Sequence, residues 1–107
     1  MSVVVNASNG TFQEEVLDSN LPVLVDFWAP WCGHCTRLSP VIDEVAEELG
    51  DAIKVVKVNV DANRELATQY NIKSLPSMLI FKAGKVEETL MGFMPKATLL
   101  TKVQARL

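Results

Sequence analysis

Two short stretches, Pro22-Val23-Leu24-Val25-Asp26-Phe27-Trp28 and Ile53-Lys54-Val55-Val56-Lys57-Val58-Asn59-Val60, carry apolar and largely β-branched residues at both odd and even positions. A strand with one face in water alternates apolar and polar residues. A strand without that alternation is covered on both faces, as parallel strands of α/β folds are. Such a pair of runs needs helices packed above and below the sheet they build.

Helical patterns fill the intervals. Leu38, Ile42, Val45 and Leu49 recur at helical spacing, with Asp43, Glu44, Glu47 and Glu48 largely on the other side and Gly50 as the expected stop. Phe12, Val16 and Leu17 predict a first helix entered from Ser8 or Asn9, and Glu65 to Tyr70 predicts a short third. Pro95 is expected as the first residue of a last helix carrying Leu99, Leu100 and Val103. Ser77-Met78-Leu79-Ile80-Phe81 and Val86-Glu87-Glu88-Thr89-Leu90-Met91 flank the turn Lys82-Ala83-Gly84-Lys85 as an antiparallel hairpin. Ser2 to Val5 is expected to add a fifth strand. The order strand, helix, strand, helix, hairpin, helix defines an α/β class with a mixed sheet.

At 107 residues the chain is expected to form one domain over its whole length, and its 49% apolar content suffices for a core without disulfides or metals. A formal charge of -3 argues against nucleic acid, whose phosphates need a basic face. Val3-Val4-Val5 is too short for a signal-peptide core, and no basic region precedes it. No window approaches the roughly 20 apolar residues of a membrane span. Val103-Gln104-Ala105-Arg106-Leu107 carries no endoplasmic-reticulum retention signal. A cytoplasmic monomer without membrane contact is the expectation.

The two cysteines, Cys32 and Cys35, are too few for a stapled scaffold. A bridge closing so short a loop contributes about 2 kcal/mol in the chain-entropy model, against more than 4 for a loop of ~100 residues. Their position suits chemistry better. Cys32-Gly33-His34-Cys35 follows a predicted buried strand and opens a predicted helix, where residues three apart face the same way, close enough for a disulfide. Unsatisfied N–H groups and the positive end of the helix dipole favour a thiolate there. A depressed thiol pKa makes such a cysteine reactive near neutral pH. Cys32, nearer the helix start, is the expected nucleophile; Cys35, one turn in, is expected to be more buried and to act second.

The run Val25-Asp26-Phe27-Trp28-Ala29-Pro30-Trp31-Cys32-Gly33-His34-Cys35 resembles the active-site segment of the thioredoxin family. The likeness extends to Pro40, Lys57-Val58-Asn59-Val60-Asp61, Leu75-Pro76, Gly84 and Gly92. It implies a central five-stranded mixed sheet with four flanking helices. It also implies thiol–disulfide exchange, in which the Cys32 thiolate forms a mixed disulfide with a protein substrate and Cys35 resolves it. Re-reduction would fall to an external thioredoxin reductase, NADPH- or ferredoxin-dependent. The chain has no dinucleotide fingerprint, so no bound cofactor is expected.

Asp26 and Lys57 are lone charges in apolar strands, where an unpaired ion is costly. Each could reach a strand end and water. The resemblance favours a pairing beneath the site, with a buried Asp26 carboxyl of raised pKa helping to deprotonate Cys35. It also implies a cis Leu75–Pro76 bond against the disulfide, with Leu75 offering backbone hydrogen bonds to a substrate strand. Pro40 is expected to kink its helix. Trp28 is expected to pack beneath the site. Trp31 is expected to border an exposed apolar patch with Gly33, Leu75, Pro76, Gly92 and Phe93, which would grip extended substrate.

His34, the only histidine, departs from the proline most common at this place in the family. Cys-Gly-His-Cys is the usual active-site motif of protein disulfide isomerases. An imidazolium beside Cys32 would stabilise the thiolate and raise the reduction potential, so Gly33 and His34 are read as potential-tuning positions. Thr36 removes a positive charge often found after the second cysteine, and Phe93 enlarges the apolar rim. A zinc site on Cys32, His34 and Cys35 would lack a fourth protein ligand, so no metal is expected. An isomerase-leaning protein and a non-enzymatic binding subunit of the same fold remain as alternatives.

Overall fold

β2 (Val23–Trp28) lies at the centre of the sheet, with β3 (Lys54–Asn59) parallel on one side and β4 (Ser77–Lys82) antiparallel on the other. The computed structural model describes residues 4–107; Ser2 and Val3, expected to begin the first strand, lie outside the described residues. β1 (Val4–Asn6) pairs parallel with the outer side of β3, and β5 (Lys85–Met91) pairs antiparallel with β4, giving the order β1-β3-β2-β4-β5.

Alternation along the strands divides the core in two. Leu24, Val55, Met78 and Ile80 point to one face and pack under α1 (Gly33–Leu49) and α3 (Lys96–Gln104), against Leu38, Ile42, Val45, Leu99 and Val103. Val23, Val25, Phe27, Val56, Val58, Leu79 and Phe81 point to the other, against Phe12, Val16 and Leu66. Leu66 belongs to α2 (Arg64–Gln69). Two apolar faces explain why β2 and β3 lack alternation in the sequence. The parities also place Asp26 with Leu24, and Lys57 with Val55, on the α1 face.

Three differences from the sequence expectations are local. The first helix is only a wide turn, Gln13–Leu17, in which Asp18 N–H donates to Gln13 O five residues back at 2.9 Å. This π-type geometry still buries both Phe12 and Val16. Pro95 is the cap preceding α3 rather than its first residue, with an extended ψ of 158°. Tyr70 follows the end of α2 and joins Phe12 and Phe81 in an aromatic cluster with centroids 5.3–5.7 Å apart, Phe81 meeting both other rings edge-on.

With the wide turn counted, and the single 3-10 turn Gly50–Ala52 at the end of α1 left aside, four helical segments flank five strands among the described residues. No described helix is long and apolar enough to cross a membrane. The hairpin turn has positive φ at both Ala83 (52°) and Gly84 (78°), which matches the twist of the strands it joins.

Candidate active site

β2 ends at Trp28, and the chain needs only a short loop before α1 begins at Gly33. Cys32 is the residue that caps that helix. Its backbone is extended (φ −91°, ψ 111°), and its Sγ accepts a hydrogen bond from Cys35 N at 3.2 Å. Thr36 donates twice to Cys32 O, from its N–H and from its hydroxyl, each at 3.1 Å. Sγ therefore occupies the place of a serine or aspartate cap, where free N–H groups and the helix dipole favour negative charge.

Cys32 and Cys35 are joined as a disulfide with Cα atoms 5.2 Å apart. Cys32 retains 8% exposure and Cys35 2%, so an incoming group meets Cys32 first. With Ala29, partly covered by Trp28, Val60 and Leu75, they form a small apolar cluster distinct from the two main cores. A Cβ built on Gly33 would meet nothing within 4 Å, so that position borders open space.

One wall of the site is Trp31, 71% exposed and held by donation from its Nε1 to Asp61 Oδ2 at 3.0 Å. Leu75 borders the site as well, and its bond to Pro76 is cis. A cleft of about 250 Å³ runs past Trp31, Leu75 and Cys32. Gly92 takes φ +86°, a conformation open to glycine, and donates its N–H to Pro76 O at 2.9 Å. Phe93 follows, 40% exposed, beneath the Arg37 guanidinium at 5.2 Å from the ring centroid. Of the expected patch, Trp31 and Leu75 line the cleft with Cys32, and Pro76, Gly92 and Phe93 connect to it through the chain and the Gly92–Pro76 hydrogen bond.

On the inner side a cavity of about 470 Å³ is bounded by Asp26, Trp28, Cys35, Ser39, Asp43 and Lys57. Asp26 is 1% exposed, and its Oδ1 has no hydrogen-bond partner; Trp28 Nε1 is buried in the same condition. Burial pushes the Asp26 carboxyl up to about 7, opposed by the Lys57 cation and assisted by the Asp43 carboxylate.

The expected pairing of Asp26 with Lys57 takes a different form. The two are register partners on β2 and β3, but the Lys57 ammonium donates to Ser39 Oγ at 2.6 Å and Asp43 Oδ1 at 3.0 Å. Ser39 and Asp43 lie one turn apart on α1 and together offer the ammonium two acceptors. Sequence reasoning missed these two residues. Their i, i+4 spacing on the helix covering Lys57 is the signal they left. His34 is exposed, and its Nδ1 is in hydrogen-bond contact with Arg37 Nη2.

A helix capped by one cysteine of a disulfide, with the second buried beside a carboxyl of raised pKa and an apolar cleft alongside, defines a dithiol oxidoreductase acting on protein disulfides. The thioredoxin family model matches residues 3–105. The chain is 50% identical over 107 residues to thioredoxin 1 of Synechococcus elongatus, covering the whole of both chains. It is 53% identical over 96 residues to a thioredoxin of Pyropia yezoensis, covering 90% of each. It is also similar to the chloroplastic M-type thioredoxin of Chlamydomonas reinhardtii, 49% over 108 residues, covering 96% of this chain and 77% of that one. The chain belongs to the thioredoxin family and is a thiol–disulfide oxidoreductase whose substrates are disulfide-containing proteins.

Proposed function

We propose that the reduced protein reduces substrate disulfides by attack of the Cys32 thiolate. A bond forms between Cys32 Sγ and one substrate sulfur, and the other substrate sulfur leaves as a thiolate. Asp26 then accepts the Cys35 proton. Cys35 Sγ attacks Cys32 Sγ, the Cys32–Cys35 bond forms, and the second substrate sulfur is released. Two electrons pass from the dithiol to the substrate. The carrying observation is the Cys32 sulfur at the cap of α1, accepting from Cys35 N–H.

Lys57 serves this step by tempering Asp26. Trp31, Leu75, Pro76, Gly92 and Phe93 bind the substrate segment around the cleft. The protein acts as a cytoplasmic monomer, holds no cofactor and makes no use of a metal, nucleic acid or membrane. An external thioredoxin reductase, NADPH- or ferredoxin-dependent, restores the dithiol; the lack of a dinucleotide fingerprint in the chain supports an external source. Gly33 and His34 tune the potential: His34 keeps at the start of α1 a backbone N–H that a proline there would lack, which favours a value less reducing than that of a proline-containing relative.

Turnover of a disulfide-bonded protein by Cys32→Ser and Cys35→Ser variants tests this reading. Cys32→Ser should be inactive, and Cys35→Ser should accumulate mixed disulfides. Retained turnover in Cys32→Ser, or no trapped adduct in Cys35→Ser, would overturn it.

A further inference from the structure

Arg37 stands on the first part of α1, and Phe93 on the loop between β5 and α3. One guanidinium joins them to the active-site motif. Its Nη2 is in hydrogen-bond contact with His34 Nδ1, and its carbon lies 5.2 Å from the Phe93 ring centroid. A guanidinium has five N–H donors, no acceptor, and keeps its charge. The His34 contact therefore requires Nδ1 to accept, which leaves the ring hydrogen on Nε2. An imidazolium carries hydrogen on both nitrogens and could not make this bond.

The second contact lies within the range for attraction between a cation and an aromatic face. His34 adjoins Cys32–Cys35 in the chain, whereas Phe93 follows the Gly92 amide that bonds Pro76 O. The side chain thus spans from the motif to the loop anchored on the Leu75–Pro76 step.

We propose that Arg37 is a positioning residue for disulfide exchange. It sets the tautomer and orientation of His34 beside the cysteines and pins Phe93 at the rim, so one side chain couples the redox motif to the substrate-binding loop. This rests on the assignment of Phe93 to substrate binding, and on Cys32 as the attacking sulfur.

Because His34 is the only histidine, the ring nitrogens of ¹⁵N-histidine-labelled protein report it alone. Near pH 8 the expected spectrum shows an unprotonated Nδ1 and a protonated Nε2, and Arg37→Ala should move both toward a tautomer mixture. Hydrogen on Nδ1 in the unaltered protein, or an identical spectrum in Arg37→Ala, would overturn the His34 arm. For the Phe93 arm, KM for a disulfide-bonded protein is measured in Arg37→Ala, Phe93→Ala and the double variant. Arg37→Ala should raise KM about 2- to 5-fold when Phe93 is present and have no effect in Phe93→Ala. The same factor in both backgrounds, or no rise in either, would refute the coupling. The spectrum needs no turnover, so failure of Cys32 as nucleophile would be seen separately, in Cys32→Ser.

Discussion

Asp26 and Lys57 face each other as register partners across β2 and β3, yet the lysine gives its ammonium to Ser39 and Asp43 on the helix above. The carboxyl is left with a cation near enough to act through the field but not committed to it. That arrangement keeps Asp26 high enough to hold a proton near neutrality and low enough to release it, as the role proposed for it toward Cys35 requires.

Asp26 should weaken the fold as pH rises. Below its unfolded value of 3.8 the carboxyl is protonated in both states and contributes no pH dependence. Between 3.8 and about 7 the folded protein keeps a proton that the unfolded chain has released, so stability falls with rising pH. Above about 7 the penalty is complete, on the order of 4 kcal/mol for a rise from 3.8 to about 7. In denaturant titrations, Asp26→Asn should be more stable than the parent at pH 8 and lose that advantage toward pH 3.5. A difference independent of pH would contradict this.

Asp43 and Lys57 should move the Asp26 titration in opposite directions. Asp43→Asn removes an anion that raises it and loosens the hold on Lys57, so the midpoint should fall. Lys57→Met removes the opposing cation, so the midpoint should rise. The ¹³C shift of the Asp26 carboxyl measures both; shifts of the same sign would show that Lys57 does not act through its charge.

His34→Pro should lower the reduction potential, making the protein more reducing. The span between about −270 mV for thioredoxin and −180 mV for protein disulfide isomerase bounds the change, and a few tens of millivolts is the expected size. Equilibration of both proteins against glutathione buffers measures it. Indistinguishable potentials would remove His34 from the tuning of the site.

Trp31→Ala should harm substrate binding far more than folding. The side chain is 71% exposed and keeps one hydrogen bond, to Asp61. Stability should change by no more than about 1 kcal/mol, the usual worth of such a bond. KM for a protein substrate should rise roughly 5-fold or more, as for an aromatic anchor lost from an interface. Loss of stability with KM intact would assign Trp31 to the core instead.

The sequence made the centre of the sheet legible because burial on both faces leaves a pattern independent of what supplies the cover. Cys32 and Cys35 were legible for a related reason: strand end, helix start and three-residue spacing are all local. The wide turn at Gln13–Leu17 was not, since the same apolar spacing suits an α-helix. The partner of Lys57 depends on how α1 is rotated over the sheet, which strand register cannot supply. Arg37 and Phe93 meet only after β5 has paired with β4, and neither residue signals the other beforehand.

The sulfur of Cys32 ends a helix as well as performing the exchange. A sulfur keeps lone pairs whether it is bonded to Cys35, bonded to a substrate, or free and charged, so the Cys35 amide has an acceptor in every state. The end of α1 therefore need not fray and re-form with each cycle. The cap of α1 can persist through the cycle, and the same face can serve one disulfide exchange after another without first being rebuilt.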